Sequence, residues 1–388
     1  MPPEAKKPSH RLTALNIIRD KGVISRTELA RLMKLSKPKI TLISQELIDA
    51  GLIEVTGQGE STSNGGRKPT LLSLRKAYPK VVIGVDIGTY NLRIACGYLS
   101  GEHQLYRTEK TNRSQFPNSI LRQASNAILE LMRDHGLARD DVVCVGVSIG
   151  GLVDSDSGRV VYSPNFKWEN VELAKLLSEQ VELPVYVENC TKTMALGDLF
   201  YDKLTNSDVA LFVNHGFGVG SAVVRNRQLV PGYCELGHIT MHSGKEVICY
   251  CGKNNCLETQ ASGWAIEWMA MDRLDKELSA QEVAELAATG NEVARDIYQH
   301  VGHYLGEAIA ASANLLSPDY IIVAGGISQA SDWYQDALEE AFQANTMRFI
   351  YDKARIVFSD CKNESAIRGI IKLALTKGIF MSEATVSR

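Results

Sequence analysis

Apolar residues in the first fifty positions recur three and four residues apart, which is the spacing of one face of an α-helix. Three such stripes follow one another with short polar turns between them. Their apolar positions are Leu12, Leu15 and Ile18, then Leu29, Leu32 and Met33, then Ile40, Ile43 and Leu47. Gly22 follows the first stripe where a helix would end, and Ser25 and Ser36 precede the other two where helices would begin. The pattern predicts three helices.

Residues 52–74 then read as a strand, a Gly/Ser-rich tip and a second strand, which predicts a β-hairpin after the third helix. Three helices followed by a hairpin are typical of a winged helix-turn-helix, whose recognition helix enters the DNA major groove. We therefore predict a DNA-binding domain with wing and linker over residues 1–76. A helical protein-docking domain is the alternative interpretation of the same pattern.

The third predicted helix carries polar residues near its amino end, and the hairpin carries basic residues at its base. Such side chains contact base edges and phosphates in winged-helix proteins. The predicted DNA-binding residues are Ser36, Lys37, Lys39, Thr41, Gln45, Arg67 and Lys68. We further hypothesise that Arg67 reaches an adjacent minor groove, since narrow A·T tracts attract a guanidinium. The alternative for residues 65–69 is a solvated linker.

From Val81 onwards the pattern changes to alternating strands and helices, which predicts an α/β domain over residues 77–388. Two strands end in glycine-punctuated turns, at residues 86–88 and 216–220, roughly 130 residues apart. This repetition predicts a duplicated fold with a cleft between its two halves. A helix is predicted over residues 191–203, between the halves.

Charge is divided unevenly along the 388 residues. Residues 1–76 carry 14 Lys and Arg against 7 Asp and Glu, which is a net charge of +7. Because the whole chain has a net charge of −3, the other residues together carry −10. A basic module on an acidic body indicates that one end meets a polyanion. The first residues lack the apolar core of a signal peptide, and no apolar run spans a bilayer, so we expect a cytoplasmic protein without membrane contact.

Three of the eight cysteines, Cys249, Cys251 and Cys256, lie within eight residues of one another. With His238 they supply the Cys3His donor set of a structural zinc site, in which no position remains for a catalytic water. The sequence predicts one structural Zn²⁺ in a subsite over residues 238–256. His242 is an alternative ligand, and ordinary buried cysteines are the alternative interpretation.

The stretch CELGHI at residues 234–239, followed by CYCGKNNCLE at residues 249–258, resembles the ROK family of bacterial sugar kinases and sugar-responsive regulators, within its winged-helix regulator branch. The similarity runs from Arg11 to about residue 380. Asn255 replaces a glycine of the family pattern, a small departure because Asn tolerates left-handed backbone angles. The resemblance implies a winged helix-turn-helix joined to a duplicated, actin/hexokinase-like α/β domain with a ligand cleft.

Further residue roles follow from the resemblance. It implies that Glu235, His238 and Glu258 contact sugar hydroxyls, and that the Asn of a Glu-Asn-Asp motif, here Asn189, also binds the sugar. Carboxylates suit hydroxyls because each accepts several hydrogen bonds. The residues implied to line the remainder of the sugar cleft are Gly150, Gly151 and Asn165.

The positions used for phosphoryl transfer in family kinases have changed. Cys190 stands at the place of the Asp that acts as general base. Tyr90 and Phe217 stand at the places of the Thr residues of the two phosphate loops. Of the nucleotide elements only the third, Ala324-Gly325-Gly326, is close to the family pattern, and an ordinary glycine turn between strand and helix is the alternative interpretation of it. We therefore predict no kinase activity and no ATP binding. An active sugar kinase with an accessory DNA module, or a regulator controlled by a protein partner, are the alternatives.

The predicted function is a sugar-responsive regulator, most simply a repressor of carbohydrate uptake and catabolism genes. Its expected partners are a palindromic double-stranded operator, a second or further copies in a homodimer or homotetramer, and a small effector. The effector is a neutral sugar or a phosphosugar, because loss of the carboxylate at position 190 removes a repulsion. For a phosphosugar, Lys192 and His215 are candidates for compensating positive charge. The alternative for Lys192 is a solvated helix residue.

Overall fold

The computed structural model describes residues 9–59, 68–112, 117–198, 201–242, 244, 246–359 and 364–383. The amino-terminal elements are α1 (His10–Lys21), β1 (Val23–Ser25), α2 (Arg26–Met33), α3 (Lys37–Asp49), β2 (Ile53–Gln58) and β3 (Thr70–Leu74). The side chains of Ser9 and Ser25 accept hydrogen bonds from the first turns of α1 and α2, and Gly22 ends α1 with φ of +71°. β3 pairs antiparallel with both β1 and β2.

The three predicted helices and the hairpin are therefore present, and most of their predicted apolar positions are buried. Leu32 is an exception and the prediction for it was wrong, because its side chain is 39% exposed. The buried side of α2 is formed by Leu29 and Ala30 instead. Leu32 therefore lies outside the strip of α2 that packs on the rest of the module.

The next part of the chain forms lobe 1, residues 81–189. Its elements are β4 (Val81–Ile87), β5 (Asn91–Gly97), β6 (His103–Lys110), α4 (Pro117–Asp134), β7 (Val142–Ile149), β8 (Leu152–Asp154), β9 (Arg159–Ser163), β10 (Trp168–Val171), α5 (Leu173–Val181) and β11 (Val185–Asn189). The main sheet has the order β11-β7-β4-β5-β6, and β8 to β10 form a small antiparallel sheet. All seven residues of β4 are buried, as expected for a strand covered on both faces.

Lobe 2, residues 201–359, follows a short helix α6 (Cys190–Gly197). After lobe 2 the last helix, α13 (Ser365–Leu375), packs on the sheet of lobe 1. The remaining elements are β12 (Val209–His215), β13 (Val219–Arg225), β14 (Gln228–Leu229), α7 (Glu258–Ala261), α8 (Gly263–Leu274), α9 (Ala280–Ala288), α10 (Glu292–Leu316), β15 (Tyr320–Ala324), α11 (Gln335–Asn345), α12 (Arg348–Tyr351), β16 (Arg355–Phe358) and α13 (Ser365–Leu375). A π-helical turn, Thr376–Phe380, extends α13. The predicted helix over 191–203 was too long, because Asp198 is extended and a separate 3₁₀ turn follows at Tyr201–Lys203.

The sheet of lobe 2 has the order β14-β13-β12-β15-β16. Counted along the chain within each five-stranded sheet, the first strand pairs antiparallel with the second and parallel with the fourth, and the fourth pairs parallel with the fifth. The two sheets therefore share one topology, as the repeated glycine turns predicted. Each lobe has its own apolar core.

A third apolar cluster joins the amino-terminal module to the body. It contains buried residues of α1 and α3 together with α13 and with Ile379 and Phe380 of the π-turn. The module therefore packs on the carboxyl-terminal end of the chain. Within the part of the chain that the structure describes, no helix combines the length and the apolar character that a bilayer crossing requires.

Candidate functional site

The four predicted metal ligands converge at one point of lobe 2. The donor atoms of His238, Cys249, Cys251 and Cys256 all lie within 4.8 Å of one another. Cys251 Sγ and Cys256 Sγ are 3.5 Å apart, and His238 Nδ1 is 3.8 Å from Cys249 Sγ. Around a tetrahedral zinc with Zn–S bonds of about 2.3 Å, neighbouring sulfurs are about 3.8 Å apart. The donor set and its spacing therefore fit a single closed metal site.

The loop that carries the cysteines is shaped by a residue in the left-handed region. Asn255 has φ of +55°, and its carboxamide oxygen accepts a hydrogen bond of 2.8 Å from the amide of Val247. The expectation that Asn can replace glycine here is confirmed. His242 is exposed and is not part of the cluster. His238 directs Nδ1 at the cluster, which leaves Nε2 available for another contact.

A small cavity lies between the two lobes, beside the metal cluster. It is lined by Gly151, Val153, Asn189, Lys192, Ser221, Gly232, Tyr233, Cys234 and Glu235. Asn189 caps α6 by accepting from the amides of Thr191 and Lys192, and its Nδ2 donates to the Gly151 carbonyl oxygen at 2.7 Å. The cavity volume is about 10 Å³, which is room for one water. The cavity in this form is therefore too small for a sugar-sized molecule.

Two predicted sugar ligands, Glu235 and Glu258, lie close enough to interact electrostatically. Withdrawal from water, followed by the negative charge of Glu258, raises the pKa of Glu235 to about 7, while Lys192 opposes the shift. Burial also raises the pKa of Glu258. Its carboxylate accepts hydrogen bonds from the Val219 amide, at 2.8 Å, and from the Tyr250 hydroxyl. Tyr250 was missed by the sequence analysis, although its place between two cysteine ligands marks it as close to the site.

Asn165 and Gly150 lie beside the first glycine turn. The Nδ2 of Asn165 donates to Thr89 Oγ1 at 3.0 Å, although Asn165 as a whole is exposed. A Cβ atom placed on Gly150 would be 3.7 Å from Asn165 Nδ2 and 3.8 Å from Cys190 Sγ. These residues therefore surround position 190, next to Asn189 and the cavity.

The two candidates for positive charge have different surroundings. Lys192 is not a solvated residue, because its side chain is 10% exposed and its Nζ lies 3.5 Å from Glu188 Oε1. The prediction that His215 could supply positive charge was wrong. Its Nε2 contacts the Ala261 carbonyl oxygen at 2.6 Å, and its Nδ1 contacts the Tyr334 hydroxyl at 3.0 Å. Burial lowers the pKa of His215 to about 4, so the imidazole is neutral at pH 7.

The residues that replace the phosphate-loop threonines contact each other across the cleft. The rings of Tyr90 in lobe 1 and Phe217 in lobe 2 meet edge to face, with centroids 5.9 Å apart. Burial raises the pKa of Cys190 to about 12. Asp86, in the first glycine turn, pairs with Arg93 at 3.0 Å. The aromatic pair therefore links the two lobes at their glycine turns, with both rings partly exposed.

The predicted DNA-binding residues that can be located are all exposed on the amino-terminal module. Ser36 precedes α3, and Lys37, Lys39, Thr41 and Gln45 lie along its exposed side. Gln45 Nε2 donates to Asp49 Oδ1 at 2.9 Å. Lys68 is also exposed, at the start of the returning strand. Arg67 lies outside the described residues, so its minor-groove role stays a prediction.

Two curated relatives match nearly the whole chain. A xylose repressor of Caldicellulosiruptor bescii is 24% identical, with 95% of this chain and 96% of the relative covered. The DNA-binding transcriptional dual regulator NagC of Escherichia coli is 26% identical, with 93% and 91% covered.

Solved structures similar to this chain include a regulator and a kinase. A ROK family transcriptional regulator, a homologue of the Escherichia coli MLC protein, superposes with a TM-score of 0.83 at 27% identity, over 97% of this chain and 98% of that one. A ROK family glucokinase of Streptomyces griseus covers 76% of this chain and 98% of its own, with a TM-score of 0.64 at 24% identity, which is a likeness of fold. Residues 82–377 match the ROK family itself, and the chain belongs to that family.

Proposed function

We propose that this protein is a sugar-responsive transcriptional repressor in which a winged helix-turn-helix binds DNA and a kinase-like body senses the sugar. The observation that carries the proposal is the extent of the similarity. The xylose repressor aligns with 95% of the chain, the amino-terminal module included, whereas the glucokinase structure covers 76%. The module is therefore a shared part of the regulators and is expected to perform their common task.

The exposed side of α3 supports a role in DNA recognition. In a winged helix-turn-helix the second helix of the motif enters the major groove, with residues near its amino end directed at base edges. Thr41 and Gln45 have the hydrogen-bonding side chains for that contact, and Lys37 and Lys39 supply charge for flanking phosphates. A two-fold oligomer on a palindromic operator follows from the same geometry, since each half-site takes one copy of α3.

Several replacements support a body without kinase activity. A thiol whose pKa is about 12 keeps its proton at pH 7, so Cys190 does not accept the proton of an attacking hydroxyl. The Tyr90–Phe217 contact places two rings where phosphate oxygens approach backbone amides in nucleotide-binding loops. No ATP site is expected in this arrangement.

The charges around the cavity favour an uncharged sugar over a phosphosugar. Of the described residues that line it, Lys192 alone is cationic, and its ammonium already pairs with Glu188. Glu235 and Glu258 add acidic groups that suit hydroxyl donors. A phosphate dianion would have to compete with Glu188 for Lys192 while facing these carboxyls. The effector class that we propose is therefore a neutral sugar.

We assign the Cys3His cluster to one structural Zn²⁺. His238 and Cys249, Cys251 and Cys256 would hold the ion, and four protein ligands leave no open position for chemistry. The ion would fix the loop that carries Tyr250 and the start of α7, where Glu258 lies. It would thereby position the sugar-binding carboxyls.

One experiment tests the function as a whole. The full-length protein selects duplexes from a random pool, and fluorescence anisotropy then measures affinity for the selected duplex with D-xylose, D-glucose or N-acetylglucosamine, and with glucose 6-phosphate and N-acetylglucosamine 6-phosphate. We expect at least one neutral sugar to weaken DNA binding about fivefold or more. A response to the phosphates alone would contradict the effector class, and ATP-dependent sugar phosphorylation by the same preparation would contradict the loss of kinase activity.

A further inference from the structure

The carboxyl-terminal end of the chain holds the first helix of the DNA-binding module by directional contacts. Asn16 Nδ2, on α1, donates a hydrogen bond of 2.8 Å to the carbonyl oxygen of Phe380. The guanidinium carbon of Arg19, one turn later, lies 4.6 Å from the centre of the Phe380 ring, which is a cation–π contact. Phe380 ends the π-turn that extends α13. The orientation of α1 is thereby tied to α13.

Lobe 2 reaches the same place through the 3₁₀ turn Tyr201–Lys203. Lys372 Nζ, on α13, lies 2.9 Å from Asp202 Oδ1 and 5.2 Å from the centre of the Tyr201 ring. Lys372 and Phe380 belong to one helical segment, α13 with its π-turn, so this segment contacts both the turn of lobe 2 and α1. Three bodies meet here, and we call Arg19, Tyr201, Asp202, Lys372 and Phe380 the hinge junction.

The helix that begins at the sugar site is in backbone contact with α13. A Cβ atom added to Gly369 would lie 1.6 Å from the carbonyl oxygen of Thr193, and one added to Gly197 would lie 1.8 Å from that of Ser365. Backbones this close cannot slide freely past one another. Asn189 caps the amino end of α6, so a displacement of α6 by a sugar at Asn189 also acts on α13.

Entry of a sugar requires the lobes to move. The cavity has residues of lobe 1 such as Gly151 on one side, residues of lobe 2 such as Ser221 and Glu235 on the other, and a volume of about 10 Å³. Separation of these walls changes the position of lobe 2, with its turn at Tyr201, relative to lobe 1. The contacts between Lys372 and that turn bridge the moving parts.

We propose that the hinge junction transmits the sugar-dependent movement of the lobes to α1, and that Arg19, Asp202 and Lys372 are positioning residues for the response to sugar. They touch neither the sugar cavity nor the exposed side of α3. The inference rests on the proposed sugar-responsive function. It assigns the coupling to a few side-chain contacts at the base of the hinge.

The test separates coupling from binding. The DNA affinity of the full-length protein, on a duplex selected from a random pool, is measured with and without saturating D-xylose, D-glucose or N-acetylglucosamine, and sugar affinity is measured by calorimetry. We expect Arg19→Met and Lys372→Met to leave each separate affinity within about threefold and to reduce the sugar-dependent ratio of DNA affinities about fivefold or more, toward 1. Asp202→Asn removes the acidic partner of the ion pair with Lys372, and should reduce the sugar-dependent ratio by a similar factor.

Two variants serve as controls. Arg19→Lys keeps a cation above the Phe380 ring and should retain the ratio. Lys353→Met removes a lysine whose ion pair with Asp319, at 3.0 Å, lies within lobe 2, and should retain it as well. A wild-type ratio that persists in Arg19→Met, Lys372→Met and Asp202→Asn would overturn the hinge junction alone. A wild-type ratio of 1 with all three sugars would overturn the sugar-responsive function and the junction together.

Discussion

At position 190 a thiol stands beside Asn189, whose amide we propose as a sugar ligand. Asn189 keeps its two tasks, capping α6 and donating to the Gly151 carbonyl oxygen. Cys190 follows it directly, and its buried thiol stays protonated at neutral pH. Two adjacent residues thus differ in what they can do: the Asn189 amide can hold a sugar hydroxyl, whereas the Cys190 thiol does not accept the proton of that hydroxyl. Cys190→Asp alone is not expected to give kinase activity, because Tyr90 and Phe217 still stand at the places of the phosphate-loop threonines.

His215 predicts how stability depends on pH. Its pKa is about 4 in the folded protein, below the 6.5 of an unfolded chain, so the unfolded state binds the proton first as the pH falls. Stability that is present at pH 7.5 is therefore lost toward pH 5, by about 2 kcal/mol. Urea unfolding at the two pH values measures the loss, and His215→Gln should lose about 2 kcal/mol less than the wild type between them. An unchanged pH dependence in His215→Gln would contradict the buried neutral imidazole.

The metal ligands predict a second residue-level result. Cys256→Ser replaces a thiolate donor with a weaker hydroxyl, so zinc content, measured by elemental mass spectrometry, should fall from about one ion per chain toward zero. The melting temperature should fall with it, because the loop from Ile239 to Leu257 loses its central cross-link. Cys234→Ser changes a cysteine that lies next to the site but outside the cluster, and should keep the ion. Full zinc content in Cys256→Ser would remove that cysteine from the ligand set.

At the scale of elements, the local sequence pattern was sufficient to predict a helix or a ligand cluster where the contacts that fix it lie close together in the sequence. The spacing of Leu12, Leu15 and Ile18 and the caps at Ser25 and Gly22 predicted α1 and α2. The cysteine spacing likewise predicted four donors that do converge. Contacts between distant segments were not predictable in this way.

Three residues illustrate the limit. Lys192 is withdrawn from water because α6 lies between the lobes. The sequence of α6 alone does not encode that position. His215 is neutral because Ala261 and Tyr334, 46 and 119 residues further along, enclose it. The helix predicted over 191–203 ends at Gly197, where α13 packs against it from the far end of the chain. In each case tertiary packing decided the outcome.

The Tyr90–Phe217 contact joins an element of each lobe and predicts a measurable coupling. An edge-to-face pair contributes about 0.5–1.5 kcal/mol beyond area burial, here to the closed form of the cleft. Calorimetric sugar affinities of Tyr90→Ala, Phe217→Ala and the double variant form a double-mutant cycle. Because the pair holds the cleft closed and the cavity of the closed form has no room for a sugar, we expect each single change to strengthen sugar binding about 2–10-fold and the double change to strengthen it no further than about either one alone. Tyr351→Ala, which breaks the Phe342–Tyr351 contact within lobe 2, should leave sugar affinity unchanged. Fully additive gains would mean that the two rings do not act as one contact in holding the cleft closed.

At the scale of the whole molecule, charge separates the two tasks of the chain. The first 76 residues are at +7 and the others at −10, so a polyanion is attracted to the amino-terminal module and repelled by the body. That polarity favours approach to DNA with α3 leading. The neutral-sugar effector that we propose agrees with this separation, because Lys192 at the cavity is already paired with Glu188.

The same separation makes a quantitative prediction for DNA binding. Each phosphate neutralised by a lysine lowers the slope of log affinity against log salt by about 0.9, because a counterion is released. Lys37→Gln with Lys39→Gln should therefore make that slope shallower by about 2 per bound copy and weaken binding similarly on all duplexes. Gln45→Ala should act differently, leaving the slope unchanged while reducing the preference for the selected duplex over a random one. Lys353→Gln, on lobe 2, should change neither quantity. An unaltered slope in the Lys37→Gln, Lys39→Gln variant would place the phosphate contacts elsewhere on the module, and the exposed side of α3 would then not be the surface that faces DNA.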